Sequence, residues 1–211
     1  MYKLFWDPGA ANMAPHAVLE EIGCPYELVK VDIAKGEHRR PAYVKLNPNG
    51  RVPTLIDGEK VMFEAAAIVL YLVEKHREAK LAPPPGTPER MLFLQWLAYL
   101  TNTLQEAFMQ FFYPQYFASD PKAQENVKAT ADQRLAAMWA TIDAALAANG
   151  PYLAGKDFSA ADLYLHMLSR WSRGCARPSS GFPQVKKLVD LVKARPAVQR
   201  MMAQEGIAEP F

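Results

Sequence analysis

The sequence predicts a small α/β domain followed by an all-helical one, and three observations carry that reading. Short alternating apolar runs and an Asp-Gly hairpin signal crowd residues 1–80. Leu81-Ala82-Pro83-Pro84-Pro85-Gly86-Thr87-Pro88 is a stiff linker that cannot continue a helix on either side. From residue 89 to 211 every periodic segment has helical spacing. With 211 residues and half of them apolar, the chain is large enough for two small domains, each with a core.

In order, Tyr2 to Trp6 reads as a first strand, broken by Asp7-Pro8-Gly9. Met13 to Ile22 follows with Met13, Ala17, Val18 and Ile22 on one helical face, ended by Gly23-Cys24-Pro25. Tyr26 to Val31 alternates like a second strand, and Lys35 to Leu46 is a polar, basic loop with one helical turn at most. Asp57-Gly58 sits between two short apolar runs, Thr54 to Ile56 and Val61 to Phe63, and marks a hairpin; a helix starts at Glu64 and ends near His76. The order β-α-β-(α)-β-β-α is that of a thioredoxin-like domain.

In the helical half, Glu89 to about Phe112 reads as one long helix carrying Leu92, Trp96, Tyr99, Leu100, Leu104 and Phe108, stopped by Pro114. Pro121 opens a helix closed by Asn149-Gly150-Pro151. Ser159-Ala160-Ala161-Asp162 is a capping-box variant at the start of the next, and Pro183 to Lys193 and Pro196 to Gln204 complete the chain.

The bulk numbers exclude several classes. Net charge is +2 and no basic run exceeds a dipeptide, so no nucleic-acid footprint is expected. The longest apolar stretches are far shorter than a membrane span. The N-terminus reads as a strand rather than a signal peptide, and two distant cysteines with no CxxC suit a reduced cytoplasmic setting. His76 and His166 have no partner at metal-ligand spacing, so no metal is expected.

Asn47 to Ala66 is the stretch richest in chemistry. Val52-Pro53 stands where a strand leaves a loop, and a cis bond there would free the Val52 backbone to pair with an extended peptide. Glu64 at a helix start offers a carboxylate for an ammonium, beside backbone N–H groups that attract an anion. Together these make a seat for a small zwitterionic peptide.

Asn47-Pro48-Asn49-Gly50-Arg51-Val52-Pro53-Thr54-Leu55, with Phe63-Glu64-Ala65 and the helix that follows, resembles the glutathione-binding segment of the cytosolic glutathione S-transferases. The helical half is similar to the all-α domain of that family, so the resemblance spans nearly the whole chain and implies the glutathione S-transferase fold. It implies a cis Val52-Pro53 bond, a Val52 backbone paired with the cysteinyl unit of glutathione, and Glu64 with the residue-65 position holding the γ-glutamyl end. Ala65 stands where the family has Ser, leaving its backbone N–H and removing one hydroxyl contact of roughly 1 kcal/mol. For the glycine carboxylate the loop offers Lys35, His38, Arg39 and Arg51, of which Lys35 matches the family position best and Arg51 adjoins the strand edge.

Pro8 to His16 resembles the bacterial beta-class members, which carry Cys then Ser where Ala11 and Asn12 stand here, and a His roughly where Gln105 stands. With no thiol or hydroxyl between Pro8 and Met13, dithiol redox chemistry is excluded. The remaining polar group is the Asn12 amide, which either donates to a bound thiolate or caps the following helix. Phe108, Phe112, Tyr113 and Tyr116 belong to an aromatic run too dense for one helix face and are expected to line an apolar pocket between the domains, the tyrosines presenting hydroxyls.

The resemblance implies a transferase that activates the glutathione thiol for attack on a small hydrophobic electrophile, with peroxidase or isomerase side activity open. It also implies a homodimer in which Asn102 and Glu106 approach the partner's γ-glutamyl group. A scaffold that has lost catalysis is one alternative; a glutathione-dependent ether-cleaving or dehalogenating enzyme is the other.

Overall fold

The structure, a computed structural model, describes residues 1–208, so the last three residues of the expected helical domain lie outside the described residues. The described residues form two compact units: 1–82 joined by 193–208, and Pro83–Val192.

In the first unit β1 (Tyr2–Trp6), α1 (Met13–Ile22), β2 (Tyr26–Lys30), α2 (Pro41–Val44), β3 (Thr54–Asp57), β4 (Lys60–Phe63) and α3 (Ala65–Lys75) follow one another. The sheet order is β2-β1-β3-β4, with β1 parallel to β2 and the other pairs antiparallel. The hairpin turns through Gly58 at φ 59°, a conformation that favours glycine, which is why Asp-Gly signals it. α1 is buried from Met13 to Leu19, because it packs against both α3 and α9 (Pro196–Gln204). The helical periodicity of residues 89–211 groups α9 with the helical half. Its packing places it with the first unit instead, tied by Arg195 to Glu21 at 2.5 Å and 2.9 Å and by Arg200 to Glu20 at 2.6 Å.

The second unit is built from α4 (Pro88–Tyr99), α5 (Glu106–Phe112), α6 (Pro121–Asn149), α7 (Ala160–Trp171) and α8 (Pro183–Lys193). The expected single helix from Glu89 to Phe112 is interrupted by a π-helical stretch, Leu100–Gln105. There the Thr101 hydroxyl donates to the Leu97 carbonyl at 2.5 Å and competes with the backbone ladder. α7 is buried from Ala160 through Ser169, and its start carries the expected capping box. Asp162 accepts from the Ser159 N–H at 2.8 Å and the Leu153 N–H at 2.9 Å. Among the described residues no helix is long and apolar enough to cross a membrane, and no group of side chains is suited to hold a metal ion.

Candidate active site

Strand register brings the candidate residues of the first unit to one end of the sheet. Phe5 pairs with Thr54 and Thr54 with Phe63, so the next positions outward are Trp6-Asp7 after β1, Pro53-Val52 before β3, and Glu64 after β4. Trp6 pairs with Lys30, so the loop carrying Lys35 and His38 leaves β2 at the same end. Pieces scattered from Asp7 to Glu64 thus meet because parallel and antiparallel neighbours of one central strand all terminate there.

The Val52-Pro53 bond is cis, as the resemblance implied. Val52 is buried with Val31 and Tyr43, and Phe5, Ala10, Ile33 and Leu46 pack around that cluster. The loop before it is knitted by Asn47: its Oδ1 accepts from the Asn49 N–H at 3.1 Å and its Nδ2 donates to the Arg51 carbonyl at 2.7 Å. The Tyr43 hydroxyl donates to the same carbonyl at 2.7 Å and lies 2.8 Å from Thr54 Oγ1. Gly50, at φ 56°, is packed so closely that a Cβ there would come within 2.9 Å of the His38 carbonyl.

Glu64 is exposed and adopts φ 72°, ψ 109°, far from the usual basins of a side-chain-bearing residue. Such a conformation costs on the order of 1–3 kcal/mol and is typical of functional positions. It serves as N-cap of α3 without a side-chain capping bond, and Ala65 follows as the first, buried helical residue.

The cation choices separate. Lys35 is largely exposed and held by Asp32 at 2.8 Å, which raises its pKa. Burial, assisted by Arg39 and opposed by Asp7, lowers the His38 pKa, which disfavours a cation there. Arg39 is exposed and reaches the Asn49 carbonyl at 3.4 Å; Arg51 is exposed beside the Val52 edge.

The turn before α1 departs from expectation. Asn12 is fully buried. Its Oδ1 accepts from the Asp7 N–H at 3.0 Å and its Nδ2 donates to Glu205 Oε1 at 2.8 Å. It occupies the N-cap position of α1 without a side-chain capping bond. Neither sequence-based role, thiolate donor or capping side chain, describes this geometry, because a group with no accessible surface meets only the protein atoms around it. Glu205, itself buried, also accepts from the Gly9 N–H at 3.0 Å and lies 2.8 Å from His16 Nδ1. The Asp7 carboxyl beside it is raised by burial and pulled down by the Ile33 N–H.

In the second unit the aromatic run divides by burial. Phe108 is buried, stacked on Phe112 at 5.8 Å and edge-on to Trp171 at 5.9 Å, so it supports the surface rather than forming it. Phe112, Tyr113 and Tyr116 are exposed, with Tyr113 and Tyr116 stacked at 5.6 Å. Gln105 accepts from the Tyr164 hydroxyl at 2.5 Å, and Asn102 and Glu106 are exposed. Of the two cysteines, Cys24 is half-buried and Cys175 buried; burial, reinforced by Asp132, pushes the Cys175 thiol up to about 12.

Sequence reasoning missed Tyr43, Glu205 and the carbonyl-directed role of Asn47. An Asn opening a loop is a recognisable turn signal. Nothing in the sequence marks Tyr43, or links Glu205 to a turn 193 positions earlier.

Comparison with known proteins supplies the context. A model of the glutathione S-transferase N-terminal domain matches residues 1–74, and one of the C-terminal domain matches residues 102–205. Glutathione S-transferase 3 of Zea mays is 31% identical over 219 residues, covering 99% of this chain and 96% of the maize protein. The crystal structure of a glutathione transferase homologue from Sulfitobacter with bound glutathione superposes with a TM-score of 0.90 at 27% identity, covering 99% of both chains. A beta-class enzyme of Sphingomonas chungbukensis superposes at 0.84 with 31% identity, covering 98% of this chain and all of that one.

Proposed function

Because the chain belongs to the glutathione S-transferase family, we propose that it binds glutathione on its first unit and directs the thiol against a small hydrophobic electrophile. What carries the reading is the register that gathers the Val52 edge, the strained Glu64 and the α3 start at one end of the sheet. The cysteinyl backbone pairs with Val52. The γ-glutamyl ammonium takes the Glu64 carboxylate, and its carboxylate takes the Ala65 N–H at the positive end of α3. Lys35 and Arg51 serve the glycine carboxylate. Phe112, Tyr113 and Tyr116 offer the electrophile an apolar surface with hydroxyls, and Phe108 stiffens it from beneath.

The chemistry asks little more of the protein. Glutathione supplies the nucleophile; the enzyme lowers the cost of its anion and holds the electrophile within reach. The thiol sits above the Gly9–Asn12 turn, with Asn12 shaping that turn from below. Detoxification in the cytoplasm by a homodimer, with Asn102 and Glu106 toward the partner, completes the reading.

The test is a titration of bound glutathione, following the ultraviolet absorbance of its thiolate. Binding with a thiol pKa well below the ordinary value of about 8.5 supports the transferase. One observation favours a second reading, a glutathione-holding protein without catalysis: the single polar side chain available in the turn is spent on Glu205. Binding with no pKa shift selects that reading, and no binding removes both.

A further inference from the structure

We propose that Tyr43 and Asn47 are positioning residues for glutathione, acting through one peptide plane: they anchor the Arg51 carbonyl and thereby aim the Val52 N–H at the tripeptide's cysteinyl carbonyl. The inference rests on the glutathione reading above and adds to it the residues that prepare the strand edge before the ligand arrives.

The Arg51 carbonyl accepts from Tyr43 Oη at 2.7 Å and from Asn47 Nδ2 at 2.7 Å, which occupies both of its lone pairs. The Arg51–Val52 bond is not among the cis bonds, so its C=O and N–H point to opposite sides of the same plane. Holding the carbonyl toward α2 and the loop therefore turns the Val52 N–H away from them, and among the described residues that N–H has no partner. A backbone donor left unpaired beside a buried side chain is what an incoming extended peptide needs.

The anchor is stiff. A tyrosine hydroxyl has one proton, and donating it to Arg51 leaves the Thr54 hydroxyl, fully buried at 2.8 Å, to donate to Tyr43 in turn. The chain Thr54 to Tyr43 to Arg51 thus runs in one direction, the arrangement in which successive hydrogen bonds strengthen one another. Burial also raises the Tyr43 pKa, keeping the phenol protonated as a donor. The Tyr43 ring packs against Val52 and lies 5.8 Å from Phe5, so one residue fixes both the side chain and the backbone of the seat. Asn47 adds a second, independent tether, set by its own turn through the Asn49 N–H. A preset donor saves the ordering cost that a mobile edge would incur on binding.

The roles separate from catalysis. Neither side chain touches the thiol in this scheme, so their loss weakens the hold on the peptide backbone and leaves thiol activation alone. Tyr43→Phe keeps the ring and removes one donor. Asn47→Asp keeps the acceptor for Asn49 and sets a carboxylate against the Arg51 carbonyl in place of a donor.

The experiment measures, by calorimetry on the full chain, the Kd of glutathione and of S-methylglutathione, which has the same backbone but no thiol. It also records kcat and the thiol pKa of bound glutathione with an aryl halide. We expect Tyr43→Phe to raise both Kd values about three- to tenfold, and Asn47→Asp about tenfold or more, with kcat at saturation and the thiol pKa unchanged. Unchanged affinity in both variants, or loss confined to kcat or to thiol pKa, overturns the inference. Should Asn47→Asp fail to fold, Tyr43→Phe alone decides, since it leaves the packing intact. Absence of binding by the wild type overturns the glutathione reading and this inference with it; wild-type binding with full-affinity variants overturns this inference alone.

Discussion

Two buried carboxylates each fasten the start of a helix, and they do so across very different sequence distances. Asp162 accepts from Ser159, three positions away, and from Leu153, nine away, in its own capping box at the start of α7. Glu205 accepts from Gly9 and Asn12, 196 and 193 positions away, at the turn before α1. The first is a local device that the sequence spells out. The second is tertiary, assembled only when α9 has packed on α1. A carboxylate three residues into its own helix costs little chain entropy to place. One that arrives from the far end of the chain must be held by packing, so its donors depend on it more heavily.

Removing the remote carboxylate has the largest expected effect. Glu205→Ala leaves the Gly9 N–H, the Asn12 amide and His16 Nδ1 facing a void inside the first unit. Each buried donor left without its acceptor costs about 1–3 kcal/mol, so losing all three partners at once should cost about 3–5 kcal/mol. Urea unfolding should show a loss of that size. A loss below about 1 kcal/mol, the range of exposed ion pairs, would mean that the turn is held by packing alone.

The same contrast explains what the sequence disclosed. Elements set by local rules are found where the sequence puts them: α1 at Met13–Ile22, the hairpin around Gly58, and the Pro-opened α6, α8 and α9. The cis Val52-Pro53 bond was legible because its motif is contiguous. What escaped was tertiary: the allegiance of α9, the Tyr43 anchor, and the use of Asn12. From sequence Asn12 is a polar side chain at a helix start, and only Glu205 determines that its amide faces inward. The π-helical turn escaped for a different reason, since Leu-Thr-Asn-Thr-Leu-Gln is as compatible with an α-helix as with the wider turn it forms.

Asp162 tests the local half of the comparison through pH. Burial raises its pKa from 3.8 to about 6, against the lowering effect of its Leu153 and Ser159 donors. The folded state therefore binds this proton more tightly than the unfolded state. The stability this contributes is complete below about pH 4 and is lost as pH rises through about 6, a change on the order of 3 kcal/mol. Asp162→Asn lacks that proton. Denaturant unfolding from pH 4 to 7 should show its deficit relative to wild type widest at the acid end and narrowing toward neutrality. A deficit constant across the range would mean that the carboxylate titrates alike folded and unfolded.

Asn12→Ala separates shape from chemistry at the remote site. It leaves the Asp7 N–H without its acceptor and Glu205 with one donor fewer, a cost of about 1–3 kcal/mol. Because its amide is turned inward, the thiol pKa of bound glutathione should stay at its wild-type value while the unfolding free energy falls. The opposite result, a raised thiol pKa at unchanged stability, would make Asn12 the thiolate donor and require its amide to turn outward when glutathione binds.

The smallest effect concerns a third helix start, which neither carboxylate device serves. The α3 start has Glu64 as N-cap with no side-chain bond to its first N–H groups. Buried carboxylates fasten the residues just ahead of α1 and α7, Gly9 with Asn12 and Leu153 with Ser159, and among the described residues none stands at these α3 donors. α3 keeps them open, and an open helix start is where a ligand carboxylate gains most. Ala65→Ser adds one hydroxyl there. The expected result is a glutathione affinity about fivefold tighter, the value of one hydrogen bond of roughly 1 kcal/mol, with little change in the thermal midpoint. Were the serine instead to stabilise the free protein and leave affinity unchanged, the hydroxyl would be capping α3 from within, and α3 would join α1 and α7 as a start satisfied by its own chain.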